Sequence, residues 1–147
     1  ISSDLKRTIK TATEIQNMRE RLPNNKNLRE FNFGEWELKK SSEIAAKYPK
    51  LSKDYWSRPG DTAPPNGESW NQAAKRINAE VDNINERYKG KNIIAVGHFG
   101  VILTQLQRAA KIQPQSAISF QIDNLSITHL EHLGDKNWRI LSVNNII

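Results

Sequence analysis

The sequence contains no cysteine, one methionine, six prolines and seven glycines. A chain without cysteine has no disulfide, no thiolate nucleophile and no zinc–thiolate site, and it suits a reducing compartment such as the cytoplasm. No apolar run approaches the roughly 20 residues needed to cross a bilayer. We therefore expect a soluble cytoplasmic protein that does not span a membrane.

Several motifs of common enzyme classes are also missing. The sequence has no glycine-rich phosphate loop ending in Lys-Ser/Thr and no Gly-x-Ser-x-Gly turn, which argues against a nucleotide hydrolase and a serine hydrolase of those types. His129 and His132 are three residues apart in a run that favours a strand, so their side chains should point to opposite faces. We expect neither a metal site nor an organic cofactor.

The composition is that of an ordinary globular protein. The 147 residues are 37% hydrophobic and 26% charged, which suits one domain spanning residues 1–147. The net charge is +6, and residues 1–60 carry 13 Lys and Arg against 8 Asp and Glu. This excess suits an anionic partner, either a small phosphate ester or a nucleic acid, although a solvated surface explains it equally simply.

The apolar pattern predicts an α/β fold. Helical spacing from Leu5 to Leu22, with Ser3 or Asp4 as the cap, predicts a first helix. The other expected elements are a short helix over 41–48, a long helix opened by Glu68, a buried strand over 92–97, a helix over 99–110 and β-rich runs over 117–122, 126–132 and 138–143. This order indicates a three-layer α/β/α sandwich.

His98 lies where the predicted strand over 92–97 meets the helix that follows. Ligands of open α/β sheets bind beyond the carboxyl ends of strands, and the unpaired N–H groups of a helix start favour an anion there. The flanking glycines, Gly97 and Gly100, let the backbone approach a ligand closely. The alternative is a histidine that only caps the helix. We predict that His98, with Phe99 beside it, belongs to a phosphate-handling site.

Other residues are weaker candidates taken alone. Arg7 is in the first turn of a helix, where the dipole disfavours a cation, so a bound phosphate would give it a stabilising partner. Glu30 and its neighbours Glu35 and Glu37 lie among aromatic residues, which can raise a carboxyl pKa and keep a proton available. Glu68-Ser69 is typical of a helix start and could also contribute ligands at a pocket rim.

In this order, the segments resemble the histidine phosphatase superfamily, which includes the phosphoglycerate mutases and the α-ribazole phosphatases. The resemblance covers nearly the whole chain and is closer to the small phosphatase branch. The resembling segments are SSDLKRTIKTA at 2–12, LREFNFGEWE at 28–37, PPNGES at 64–69, NIIAVGHFGV at 92–101 and NLSIT at 124–128.

The resemblance implies a role for each matching residue. Arg7 would hold the phosphate, Glu30 would be the proton donor, and His98 would be the second histidine, which holds the phosphoryl oxygens during transfer. Glu68 and Ser69, with Phe99, would contribute to substrate binding. The substrate would be a small phosphorylated molecule, and neither a metal nor a cofactor would be needed.

In this family the nucleophile is a different histidine, in an Arg-His-Gly motif after the first strand. No Arg-His pair occurs in these 147 residues. We therefore expect the sheet to lack its N-terminal strand here, the nucleophile to lie upstream of Ile1, and this chain alone to be inactive. The first hypothesis is a phosphomonoester phosphatase with a phosphohistidine intermediate. The alternatives are a phosphoglycerate mutase-type phosphotransferase and a non-catalytic phosphate- or nucleic-acid-binding domain.

Overall fold

The structure is a computed structural model that describes residues 1–146. Its elements are α1 (Lys6–Gln16), α2 (Ser41–Lys47), α3 (Pro49–Ser57), α4 (Trp70–Arg87), α5 (Phe99–Ala110), α6 (Pro114–Ala117), β1 (Ile127–Gly134) and β2 (Asn137–Asn145), with single 3₁₀ turns at Lys26–Leu28 and Gly34–Trp36. Helices with a small sheet place the chain in the predicted α/β class. None of the helices in this range is both long and apolar enough to cross a membrane.

The core lies between α4 and α5, and both helices are close to their predicted positions. On α4 the apolar face points inward, with Ile77 fully buried, and on α5 Leu103 and Leu106 are fully buried. The loop residue Phe31 closes this core through an edge-on contact with Trp70, whose ring centroid is 5.4 Å away. Burial of these apolar faces is the main stabilising contribution to the fold.

The predicted buried strand over 92–97 is neither a strand of a sheet nor buried, since Ile94 and Ala95 are exposed. It makes one isolated parallel bridge, between Val96 and Ser2. The Val96 N–H donates to the Ile1 carbonyl at 3.0 Å, and the Ser3 N–H donates to the Val96 carbonyl at 3.2 Å. Within the described residues only this short segment pairs with it, so no longer ladder forms.

The first helix is shorter than predicted. It ends at Gln16 because Asn17 turns the chain with a φ of 49°, and Met18, predicted on the apolar face, is almost fully exposed. The predicted cap is also wrong, because the N-cap residue of α1 is Leu5 and no side-chain hydrogen bond caps the helix. The Asp4 carboxylate instead accepts two hydrogen bonds from Arg29, at 2.6 and 2.7 Å.

One other prediction needs correction. The run over 117–122 is not a strand, because Pro114 at the first turn of α6 starts a short helix that ends in turns. The predicted helix over 41–48 is confirmed as α2, and Pro49 then starts α3, a helix that was not predicted, since a fixed φ and a missing N–H are tolerated in a first helical turn.

The predicted strands over 126–132 and 138–143 are confirmed as β1 and β2. They pair antiparallel and are joined by a tight turn in which Gly134, Asp135 and Lys136 all have positive φ. Partly buried side chains on this hairpin pack against the core, which places the hairpin beside α5.

Leu103→Ala should lower the free energy of unfolding by about 2–5 kcal/mol, because it leaves a cavity where no solvent reaches. Urea unfolding monitored by circular dichroism measures this change. Met18→Ala is the matched control, since Met18 is 96% exposed and its removal should change stability by at most about 0.5 kcal/mol. Similar effects of the two substitutions would contradict a core centred on α5.

Candidate functional site

Two parallel extended segments bring Arg7 and His98 together. The first segment runs through Ser3 into α1, and the second runs through Val96 to His98, which is at the N-cap position of α5 but makes no side-chain capping hydrogen bond. Because the segments are parallel, their carboxyl ends meet at the same edge. There Arg7 donates its Nε–H to Nδ1 of His98 at 3.3 Å, across 91 residues of sequence.

The polarity of these hydrogen bonds assigns the tautomer of His98. A guanidinium only donates, so the Nδ1 that receives the Arg7 hydrogen bond carries a lone pair. The proton of the neutral ring is then on Nε2, which donates to Oγ of Ser3 at 2.8 Å. Ser3 Oγ in turn lies 2.7 Å from Oγ1 of Thr8, which donates to the Leu5 carbonyl at 2.9 Å. This buried chain of hydroxyls sets the orientation of the ring and turns Nδ1 toward Arg7.

Burial and, to a smaller extent, the positive charge of Arg7 together lower the pKa of His98 to about 4. The ring is therefore neutral at neutral pH in the absence of an anion. An anion placed between Arg7 and His98 would favour the charged ring and raise this pKa. The site is thus arranged so that anion binding and protonation of His98 favour each other.

The side chain of Glu30 reaches the start of α5, although Glu30 is 70 residues from Gly100 in the chain. Its carboxylate accepts hydrogen bonds from the Gly100 N–H, at 3.1 Å to Oε1 and 3.2 Å to Oε2, and from the Phe31 N–H at 3.0 Å. Burial raises the pKa of Glu30, although these hydrogen bonds and the charges of Arg7 and Arg76 oppose the shift. A carboxyl with a raised pKa keeps its proton longer than a solvated one, as a proton donor requires.

Arg76 on α4 holds the segment that carries Glu30. Its guanidinium donates hydrogen bonds to three backbone carbonyls of this segment, those of Asn27, Arg29 and Glu30, at 2.8, 3.2 and 3.5 Å. It also binds both carboxylate oxygens of Glu68, at 2.8 and 2.7 Å. Five hydrogen bonds from one guanidinium therefore fix this loop against α4.

Glu68 is tied into the same arrangement. Its Oε2 accepts from the Asn32 N–H at 2.9 Å. Partial burial raises the pKa of Glu68, but the hydrogen bonds from Arg76 and Asn32 outweigh burial and hold the pKa below its usual range. Glu68 is thus an ionised partner of Arg76 that supports the Glu30 loop.

Ser69 caps α4. Its Oγ accepts from the Gln72 N–H at 3.2 Å, and its own N–H donates to the Gln72 side chain at 2.8 Å. The residue is 2% exposed, and within residues 1–146 no hydrogen bond joins its hydroxyl to Arg7 or His98. Its side chain serves the helix start, which is the simpler of the two predicted roles.

The remaining candidates from the sequence lie on the surface of the same region. Glu35 accepts from the Tyr48 hydroxyl at 2.6 Å, and Glu37 accepts from the Phe33 N–H at 3.1 Å. Both are solvent-exposed, which leaves Glu30 as the one partly buried member of the three carboxylates. Phe99 starts α5 with its side chain half exposed, next to the site but without a polar contact.

Sequence reasoning missed Ser3, Thr8 and Arg76. Ser3 and Thr8 are five residues apart at a helix start, a spacing that could have indicated mutual hydrogen bonding once Ser3 was excluded as the cap. The sequence does not single out Arg76, because nothing in the pattern of an amphipathic helix distinguishes a structural arginine from a solvent-exposed one. Its function depends on carbonyls 46 to 49 residues away.

The other two histidines are not part of the hydrogen-bonded group around Arg7 and His98. His132 on β1 packs against Trp138, with ring centroids 4.7 Å apart, and His129 is exposed on the same strand. Among the described residues, no group of three or more His, Cys, Asp and Glu side chains could hold a metal ion.

Comparison with known proteins gives a consistent result. The family model described as "Histidine phosphatase superfamily (branch 1)" matches residues 1–146. Phosphoglycerate mutase-like protein 4 of Arabidopsis thaliana is 29% identical over 142 residues, which cover 95% of this chain and 60% of that protein. The chain therefore spans less than two thirds of the length of this curated relative.

Solved structures share the fold. The α-ribazole phosphatase from Shigella flexneri has a TM-score of 0.81 at 22% identity, covering 98% of this chain and 71% of that one. A mycobacterial glucosyl-3-phosphoglycerate phosphatase in complex with VO₃ has a TM-score of 0.78 at 25% identity, covering 99% of this chain and 75% of that one. The predicted phosphoglycerate mutase-like fold is confirmed by these likenesses.

His98 should titrate with a pKa near 4 and should carry its proton on Nε2 at neutral pH. Nitrogen-15 NMR of the imidazole distinguishes the two tautomers and gives the midpoint. Because the unfolded chain takes up this proton near pH 6.5 and the folded chain only near 4, His98 makes stability fall as the pH drops through that interval. A midpoint near 6.5, or a proton on Nδ1 at neutral pH, would contradict the assigned hydrogen bonds.

Proposed function

The chain belongs to the histidine phosphatase superfamily (branch 1), and from this membership we propose that it is the phosphate-handling part of a phosphomonoester hydrolase. The observation that carries the proposal is the contact between Arg7 and His98 at the shared edge of two parallel segments. A guanidinium and an imidazole that face each other there can hold the oxygens of one phosphoryl group between them.

The proposed substrate is a small phosphate monoester. A bidentate guanidinium suits the charged oxygens of such a group, and a ring that gains a proton as the anion arrives adds a second positive charge. Both the mycobacterial and the Shigella proteins named above are described as phosphatases of small phosphorylated molecules. A cytoplasmic location is part of the same proposal, since such substrates are soluble metabolites and the chain has no cysteine.

The proposed nucleophile is a histidine that lies outside these 147 residues, in an Arg-His-Gly segment upstream of Ile1. It would attack phosphorus and form a phosphohistidine while the bond from phosphorus to the leaving oxygen breaks. Glu30 would give its proton to that oxygen, so that an alcohol leaves. Water would then attack the phosphohistidine, Glu30 would take a proton from it, and inorganic phosphate would leave.

During both steps Arg7 and His98 would stabilise the charge on the transferring phosphoryl oxygens. His98 would act through Nδ1, since Nε2 is held by Ser3. Neither step requires a metal or an organic cofactor in this proposal, because the phosphoryl group is activated by hydrogen-bond donors alone.

A phosphoglycerate mutase-type phosphotransferase is the second candidate, and the name of the Arabidopsis relative favours it. A mutase would return the phosphoryl group to a second hydroxyl of the same substrate. Release of inorganic phosphate from several monoesters, with no isomerised phosphoglycerate, supports the hydrolase over the mutase.

Inorganic phosphate should bind this chain and raise the pKa of His98, because the anion stabilises the imidazolium. NMR titration of His98 with and without phosphate measures the shift. Arg7→Ala should abolish the shift, whereas Lys75→Ala, which removes one positive charge from an exposed site on α4, should preserve it. Equal binding by both variants, or binding of nucleic acid with a steep salt dependence in place of phosphate, would support a general basic surface.

In the longer protein, His98→Ala should lower turnover of phosphate monoesters by about 10²–10³-fold while the fold is retained, since one donor to the transferring group is lost. His129→Ala is the matched control and should leave turnover unchanged. Near-normal turnover in His98→Ala would remove His98 from the site. A sequence upstream of Ile1 without Arg-His-Gly after an apolar run would refute the catalytic proposal itself.

A further inference from the structure

Gly97 and Gly100 flank His98 and have different surroundings, although from the sequence both were expected to allow close approach of a ligand. Gly100 is the second residue of α5, and its N–H donates to both carboxylate oxygens of Glu30. We propose that Gly100 is a positioning residue for Glu30, because only a residue without a side chain lets this carboxyl lie on the start of α5. The inference rests on the proposed function, in which Glu30 is the proton donor.

The space at Gly100 is already filled. A Cβ atom at this position would lie 2.5 Å from Oε1 of Glu30 and 2.9 Å from two ring atoms of Phe31. Both distances are shorter than real Cβ atoms show, so the carboxyl and the ring would both have to shift, and the carboxyl, which is the nearer, would have to shift more. The carboxyl ends a flexible side chain, whereas the Phe31 ring is 5% exposed and packed against Trp70. Glu30 is therefore the group that is displaced furthest.

Backbone conformation does not explain this glycine. Gly100 is helical and has no positive φ, so any residue could adopt its backbone angles. Alanine also favours a helix more than glycine does. A glycine in the first turn of α5 thus makes the helix less stable than an alanine would, but it allows the carboxyl of Glu30 to approach the helix start closely.

Gly97 provides the contrast within the same turn. A Cβ atom there would meet only the Val101 side chain, at 3.4 Å and beyond, which is ordinary van der Waals contact. Gly97 also has no positive φ. An alanine is accommodated at Gly97 and displaces a neighbour at Gly100, which makes Gly97→Ala a matched control.

Neither substitution replaces any of the other charged and titratable groups near Glu30. They are Arg7 on α1, Arg76 on α4 and the buried phenol of Tyr55 on α3. His98, between the two glycines, is the remaining titratable group at the start of α5. Neither glycine variant alters a charge, so a difference between the variants in the titration of Glu30 reports where the carboxyl lies.

The test is a carbon-13 NMR titration of the Glu30 carboxyl in the chain, in Gly100→Ala and in Gly97→Ala. In Gly100→Ala the pKa should fall toward the ordinary carboxyl range, because the displaced group returns to water, and the amide proton of residue 100 should stop following its titration. In Gly97→Ala the pKa of Glu30 and the response of the residue 100 amide proton should remain as in the parent chain. A raised pKa that persists in Gly100→Ala, or that falls equally in both variants, would overturn the proposal.

Gly100→Ala could unfold the chain, which circular dichroism would reveal. The double variant Glu30→Ala, Gly100→Ala then decides, because removing the carboxyl frees the space for the new Cβ. Recovery of the native spectrum supports the proposal. If the double variant stays unfolded, Gly100 is required by its contact with Phe31 and not by Glu30, which overturns the proposal.

Turnover in the longer protein separates this inference from the proposed function. Gly100→Ala should lower kcat about 10- to 100-fold for an alkyl phosphate, whose leaving oxygen needs a proton, and much less for p-nitrophenyl phosphate, whose leaving group does not. If the pKa of Glu30 falls in Gly100→Ala and turnover of both substrates is unchanged, Gly100 still positions the carboxyl. That result refutes only the role of Glu30 as proton donor.

Discussion

One pairing of backbone groups supports the whole candidate site. Ile1 to Ser3 runs parallel to the segment that ends at Val96, and three backbone hydrogen bonds of 3.0–3.2 Å join them. Each segment ends at the same edge and continues into a helix, so that Arg7 and His98 meet although they are distant in the chain. Since the pairing is a single bridge, the side-chain hydrogen bonds of Ser3 to Thr8 and His98 provide a second connection between the two segments.

The electrostatic character of the site follows from burial next to positive charge. Burial and the charge of Arg7 lower the pKa of His98 to about 4, and burial raises the pKa of Glu30. Both shifts disfavour the charged form of the group, although one pKa falls and the other rises. An anion that binds to Arg7 favours a proton on each group, and a protonated Glu30 is what the proposed protonation of the leaving oxygen needs.

Much of the fold could be predicted from local pattern. The apolar pattern of α4 and α5 and the β-rich composition of β1 and β2 correctly indicated these elements, because each buries side chains against the core. Predictions failed where a single residue overrode the pattern. Asn17 ended α1 in a positive-φ conformation, and Pro114 started a helix in a run rich in β-formers. Such local geometries depend on backbone conformation and not on hydrophobicity.

The sequence by itself determined the identities of the candidate residues, because motifs such as SSDLKR and GHFG preserve the order and spacing of chemical groups. Tertiary structure alone decided how these groups are used. It assigned the proton of His98 to Nε2 through Ser3, made Arg76 the anchor of the Glu30 loop, and separated Gly100 from Gly97 by the space beside them. These are relations between residues distant in the chain, and a hydrogen bond or a steric contact between them exists only once the chain has folded.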